Sequence, residues 1–131
     1  MALAYRVLVV DDSAHIRILL VKLLKRIGFE FIETAENGKI GLEKFASFKP
    51  QAVFLDGIMP EMDGLAVLRA IKGQSSETVV VITTSLSERE KVLQFKESGA
   101  DFYLMKPFEE AKFREVSQKV VSTLENRQKE S

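Results

Sequence analysis

Three short runs, residues 5–10 (YRVLVV), 52–55 (AVFL) and 79–83 (VVVIT), are apolar at nearly every position. A strand with one face in water alternates apolar and polar residues, whereas a strand covered on both faces does not. These runs are too short for buried helices and rich in β-branched residues, so they read as the centre of a parallel sheet. Residues 31–35 (FIETA) and 102–105 (FYLM) read as two further strands.

Helical patterns alternate with the strands. Ser13 is a plausible N-cap for a first helix whose apolar stripe runs Ile16, Leu19/Leu20, Leu23/Leu24, Ile27 and stops at Gly28. A second helix is expected from about Gly38 to Phe48, and a third from about Leu65 to Lys72, ending at Gly73. A fourth runs from a Ser87 cap, with Glu90 at the capping-box offset, to Ser98. A fifth runs from about Glu109 to Leu124, and the polar stretch 125–131 is expected to fray. The order βα, five times over with right-handed crossovers, predicts an α/β fold: a doubly wound five-stranded parallel sheet with five helices.

The chain has 131 residues, one domain's worth. We expect the domain to occupy residues 1–126, with 127–131 as a polar tail. Nineteen basic residues balance nineteen acidic ones, so no bulk charge attracts nucleic acid. No cysteine is present, which excludes a disulfide framework and a thiolate zinc site. The apolar run at the start is too short for a signal peptide, and none approaches the roughly 20 residues that span a bilayer. A cytoplasmic location is the expectation.

In such sheets the working site lies beyond the carboxyl ends of the strands. The first strand ends in Asp11-Asp12, the third in Asp56, the fourth in Thr83-Thr84-Ser85 and the fifth in Lys106-Pro107. Three carboxylates cannot sit together ionised without a counter-charge. An oxygen-loving cation such as Mg²⁺ (or Mn²⁺) supplies it and leaves room for phosphate oxygens. With Lys106 and a threonine hydroxyl, this is equipment for phosphoryl transfer to a carboxylate. Taken singly, each of these residues is more often a cap or a turn; the convergence of four elements on one edge carries the reading.

These residues resemble the receiver domains of two-component response regulators, the chemotaxis-regulator type in particular. The resemblance rests on Asp11-Asp12, Asp56, Thr84, Lys106-Pro107-Phe108, the loop Met59-Pro60-Glu61-Met62-Asp63-Gly64, and Gly99-Ala100-Asp101-Phe102-Tyr103. It covers the chain from about Tyr5 to Leu124. It implies a flavodoxin-like strand order 2-1-3-4-5, Asp56 as phosphoacceptor, and Mg²⁺ held by Asp12, Asp11, Asp56 and the Ile58 backbone carbonyl. It implies that Lys106 contacts the phosphoryl group, and that Thr84 and Tyr103 form a switch in which Tyr103 passes from exposed to buried. Pattern alone leaves Thr83 and Thr84 ambiguous; the offset from Lys106 in the family selects Thr84. The implied partners are a sensor histidine kinase or histidine phosphotransfer protein, and a protein target bound through the fourth helix, fifth strand and fifth helix. Self-phosphorylation and self-dephosphorylation would be its only catalysis, with no nucleic acid or membrane partner.

Three departures stand out. Gly57 follows the phosphoacceptor where a larger residue is expected. Ile58 and Leu86 are apolar at two positions that in similar proteins influence how water reaches the acyl phosphate. In the fourth helix Phe95 is either a core residue of a rotated helix or a partly exposed partner anchor. His15 reads as a surface histidine, and Met59 and Met62 as packing rather than ligands.

Rival functions fare worse. A phosphohydrolase with an aspartyl nucleophile needs a general acid two residues on, where Ile58 stands. A flavin or nucleotide carrier wants a phosphate-cradling loop after the first strand, where two acids repel phosphate. A free-standing regulator is the simplest account; the receiver piece of a longer, for example DNA-binding, regulator is the alternative.

Overall fold

The computed structural model describes residues 3–85 and 88–130. Five strands and five helices alternate: β1 (Leu3–Val10), α1 (Ala14–Ile27), β2 (Phe29–Ala35), α2 (Gly38–Phe48), β3 (Ala52–Asp56), α3 (Gly64–Gln74), β4 (Val79–Thr84), α4 (Arg89–Glu97), β5 (Phe102–Met105) and α5 (Glu110–Glu130). All neighbouring strands are parallel, in the order β2-β1-β3-β4-β5. The expected architecture and strand order both hold.

The apolar runs are buried on both faces, and successive residues feed opposite cores. Val7, Val9, Phe54 and Val81 pack with Leu24 and Phe113 on one side. Leu8, Val10, Val53 and Ile82 pack with Phe45 and Leu68 on the other. Val7 through Val10 have no exposed surface at all, which is why β1 shows no alternation. Each such side chain contributes about 1.5–3 kcal/mol by leaving water.

Local signals set most boundaries. The Ser13 hydroxyl accepts from the Ile16 N–H, Asn37 caps α2 through Ile40, and Asp63 caps α3 through Ala66. Several boundaries differ from expectation: β1 and β2 each begin two residues early, at Leu3 and Phe29, and three helices differ. α3 runs through Gly73, which faces open space, and ends at Ser75. α4 begins at Arg89 behind Glu88, which makes no side-chain cap; the expected Ser87 cap lies outside the described residues. α5 continues to Glu130 instead of fraying after Leu124. There the Arg127 guanidinium donates to the Glu77 carbonyl and to Asp101 Oδ1, fastening the last turns to the domain. Among the described residues no helix is long and apolar enough to cross a membrane.

Candidate functional site

Register brings the acids together. Val10 pairs with Leu55, so Asp11, one residue past β1, lies beside Asp56 at the end of β3. Asp56 in turn pairs with Thr83, and Thr84 with Met105, the residue before Lys106. One oxygen each from Asp11, Asp12 and Asp56 lies within 4.8 Å of the other two. Asp11 is fully buried, Asp56 nearly so, and Asp12 faces solvent. The Lys106 ammonium reaches over the same edge, 2.8 Å from Asp11 Oδ2 and 3.4 Å from Asp56 Oδ1. The Lys106–Pro107 peptide is cis.

Backbone groups hold the carboxylates in place. The Ser13 N–H donates to Asp11 Oδ1 at 2.9 Å, and the Ile58 N–H donates to Asp56 Oδ1 at 3.1 Å. Gly64, at the start of α3, lies against the backbone after β3. A Cβ there would collide with the Asp56 carbonyl oxygen and sit 2.7 Å from Gly57 Cα. Only glycine lets α3 approach so closely, and that approach fixes the chain just after Asp56.

The electrostatics are unbalanced. Burial pushes the Asp56 carboxyl up to about 7, and the Asp11 carboxylate and a hydrogen bond with Asp12 push the same way; the Ile58 N–H and the Lys106 ammonium oppose them. One lysine does not offset three carboxylates at neutral pH. An all-oxygen donor set, two members buried and one open to solvent, suits a hard divalent cation that keeps several waters. The residues present therefore fit Mg²⁺ or Mn²⁺.

Residues 7–118 match the response regulator receiver domain family. The chain belongs to that family. A receiver of this kind serves two-component phosphoryl signalling as a switch. The chain is 32% identical over 120 residues to the chemotaxis protein CheY of Bacillus subtilis, covering 92% of this chain and 100% of that one. It is 40% identical over 99 residues to the protein-glutamate methylesterase/protein-glutamine glutaminase of Archaeoglobus fulgidus, covering 74% of this chain but 28% of that protein. The solved structure of Vibrio cholerae chemotaxis protein CheY4 superposes with a TM-score of 0.84 at 31% identity, over 90% of this chain and 99% of that one.

Thr84 is buried and hydrogen-bonded through its side chain to Tyr103, which is half-buried. Burial raises the Tyr103 hydroxyl above its ordinary value, against the pull of that hydrogen bond. Thr83 is buried, and its hydroxyl finds no partner among the described residues. Ile58 is 48% exposed. Leu86 lies outside the described residues. Phe95 is buried at 4% exposure, so the core reading of that residue holds over the exposed anchor. Met59 is buried in the core and Met62 packs against it, while His15 is exposed.

Two sets of contacts were not legible in the sequence. Arg17 donates to the Asp11 carbonyl at 2.7 Å, tying the first turn of α1 to the acidic loop. Its place four residues after the Ser13 cap was the available signal. Asp101 accepts from Lys72, Arg127 and the Val80 N–H, a clasp that anchors the entry to β4 far from the acids. A cavity of about 480 Å³, lined in part by Tyr5, Lys49, Gln51 and Arg127, includes none of Asp11, Asp12 and Asp56.

Proposed function

We propose that Asp56 is the phosphoacceptor of this receiver and that its phosphorylation rearranges Thr84, Tyr103 and α4. The observation that carries this reading is the convergence of three carboxylates and the Lys106 ammonium at one sheet edge. An Asp56 oxygen would bond to phosphorus as the bond from phosphorus to the donor, a phosphohistidine nitrogen or an acyl oxygen, breaks. Lys106 would hold an oxygen of the transferring group. Asp11, Asp12, Asp56 and the Ile58 carbonyl would hold Mg²⁺ (or Mn²⁺), which when bound neutralises charge on the acids and the phosphoryl oxygens.

The switch follows from partner exchange. The Thr84 hydroxyl now bonds Tyr103. A phosphoryl group on Asp56 offers Thr84 a charged acceptor, a stronger partner than a phenol. Tyr103 is then released to repack, and the arrangement of β4, α4 and β5 that best allows the exchange gains population. A histidine kinase or histidine phosphotransfer protein is the donor this chemistry calls for, and the α4-β5-α5 face is the surface offered to a protein target. Catalysis is confined to the receiver's own phosphorylation and dephosphorylation, in a cytoplasmic setting.

The end-to-end match with the Bacillus subtilis protein supports a free-standing regulator. The match to part of the Archaeoglobus fulgidus protein supports the second reading, a receiver unit of a longer regulator. Incubation with acetyl phosphate, followed by intact mass measurement, tests the proposal. With Mg²⁺ the protein gains one PO₃H unit; in EDTA, or with Asp56→Asn, it gains none. An equal gain in EDTA or in Asp56→Asn contradicts it.

A further inference from the structure

Of the nine residues of α4, Phe95 is the one that is buried; Leu93 is 42% exposed and the rest of the helix is largely polar. The helix therefore owes its docking chiefly to one ring.

That ring sits in a socket made by a missing side chain. A Cβ built on Gly57 would lie 3.2 Å from Phe95 Cζ, 3.1 Å from Thr84 Cβ and 3.2 Å from Thr84 Oγ1. Gly57 has no left-handed φ, so its backbone does not demand glycine. The space does. The Phe95 ring also pairs with Tyr103, with centroids 6.3 Å apart and planes inclined at 57°. The empty position on Gly57 thus lies between the Phe95 ring and the Thr84 side chain, and the same ring neighbours Tyr103.

We infer that Phe95 is the positioning residue that carries the phosphorylation state of Asp56 to α4, and that Gly57 is glycine in order to admit it. This rests on the phosphoacceptor reading of Asp56 and extends it to a specific coupling. When Thr84 turns toward a phosphoryl group, one wall of the socket moves, and when Tyr103 repacks, a second wall moves. Phe95 therefore fits the two states differently, and that difference is what shifts a helix with no second buried anchor. Volume is the transmitted quantity, so it can be exchanged between positions 57 and 95.

The test compares wild type with Gly57→Leu, Phe95→Ala and the double variant, each with and without Mg²⁺ and beryllofluoride as phosphoryl mimic. Amide hydrogen exchange across residues 89–97 is the readout. Wild type should change its α4 exchange on adding the mimic. Each single variant should exchange about tenfold faster in α4 and lose most of that response, while the double variant, with volume restored, recovers both. If Phe95→Ala does not fold, Phe95→Leu takes its place, with a partial loss expected. Single variants that keep the wild-type response, or a double variant as impaired as the two singles combined, would overturn the inference. The phosphoacceptor reading survives that result if wild type still gains a PO₃H unit from acetyl phosphate; if it gains none, both fall.

Discussion

The Lys106 ammonium stands closer to Asp11, at 2.8 Å, than to any other acid of the site. It also reaches Asp56 at 3.4 Å, so one cation serves two buried carboxylates. A lysine in that position repels a divalent ion bound to the same acids. Lys106→Met should therefore raise Mg²⁺ affinity by about tenfold while impairing the response to phosphorylation. Titration calorimetry with Mg²⁺ checks the first part, and unchanged or weaker binding would count against the geometry described.

The raised Asp56 carboxyl makes stability depend on pH. Its ordinary value is 3.8 and its value in the fold is about 7, so the folded state favours the neutral form. That preference contributes fully below about pH 4 and is lost as pH rises through 7. In EDTA, Asp56→Asn should exceed wild type in stability at pH 8, by at most about 4 kcal/mol, and the gap should close on acidification. Saturating Mg²⁺ should stabilise wild type, by about 2.7 kcal/mol at a hundred times Kd, and the variant less. Urea unfolding across pH measures both.

Gly64→Ala should be severely destabilising, by about 2–4 kcal/mol, because the new methyl meets the Asp56 carbonyl and Gly57 Cα rather than a movable side chain. Gly73→Ala is the control: its Cβ enters open space in a helix and should be neutral or mildly stabilising. Chemical denaturation of the pair separates backbone collision from the general effect of replacing glycine.

Ile58, two residues after Asp56, stands half-exposed, and on the proposed reading it would limit the approach of water to an acyl phosphate on Asp56. Ile58→Asn, combined with Leu86→Glu, should shorten the phosphoryl half-life by about fivefold. The decay of the phosphorylated mass after removal of donor measures it; an unchanged half-life would dismiss the apolar gate.

The central sheet was legible in the chain because its residues answer to local rules. The runs around Val9, Phe54 and Val81 are apolar because both faces are covered, and no partner need be known to see it. Asp11, Asp56 and Lys106 were legible as a group because strand ends of a parallel sheet share one edge. The reach of α5 was not legible, since it depends on Arg127 finding Asp101 and the Glu77 carbonyl, distant in sequence. Gly57 looked like an omission at the mouth of the site. A Cβ there would press on Thr84 and on the Phe95 ring, delivered by a helix whose rotation the stripe of apolar residues left ambiguous. Contacts set by tertiary packing are those that periodicity cannot supply.

The central claim is that a single carboxylate, Asp56, takes the phosphoryl group. Borohydride reduces an acyl phosphate to an alcohol and so converts a phosphorylated aspartate to homoserine. Peptide mass mapping after acetyl phosphate, Mg²⁺ and borohydride should find homoserine at position 56, with Asp11 and Asp12 intact. Conversion at Asp12 or elsewhere, with Asp56 unchanged, would contradict the account.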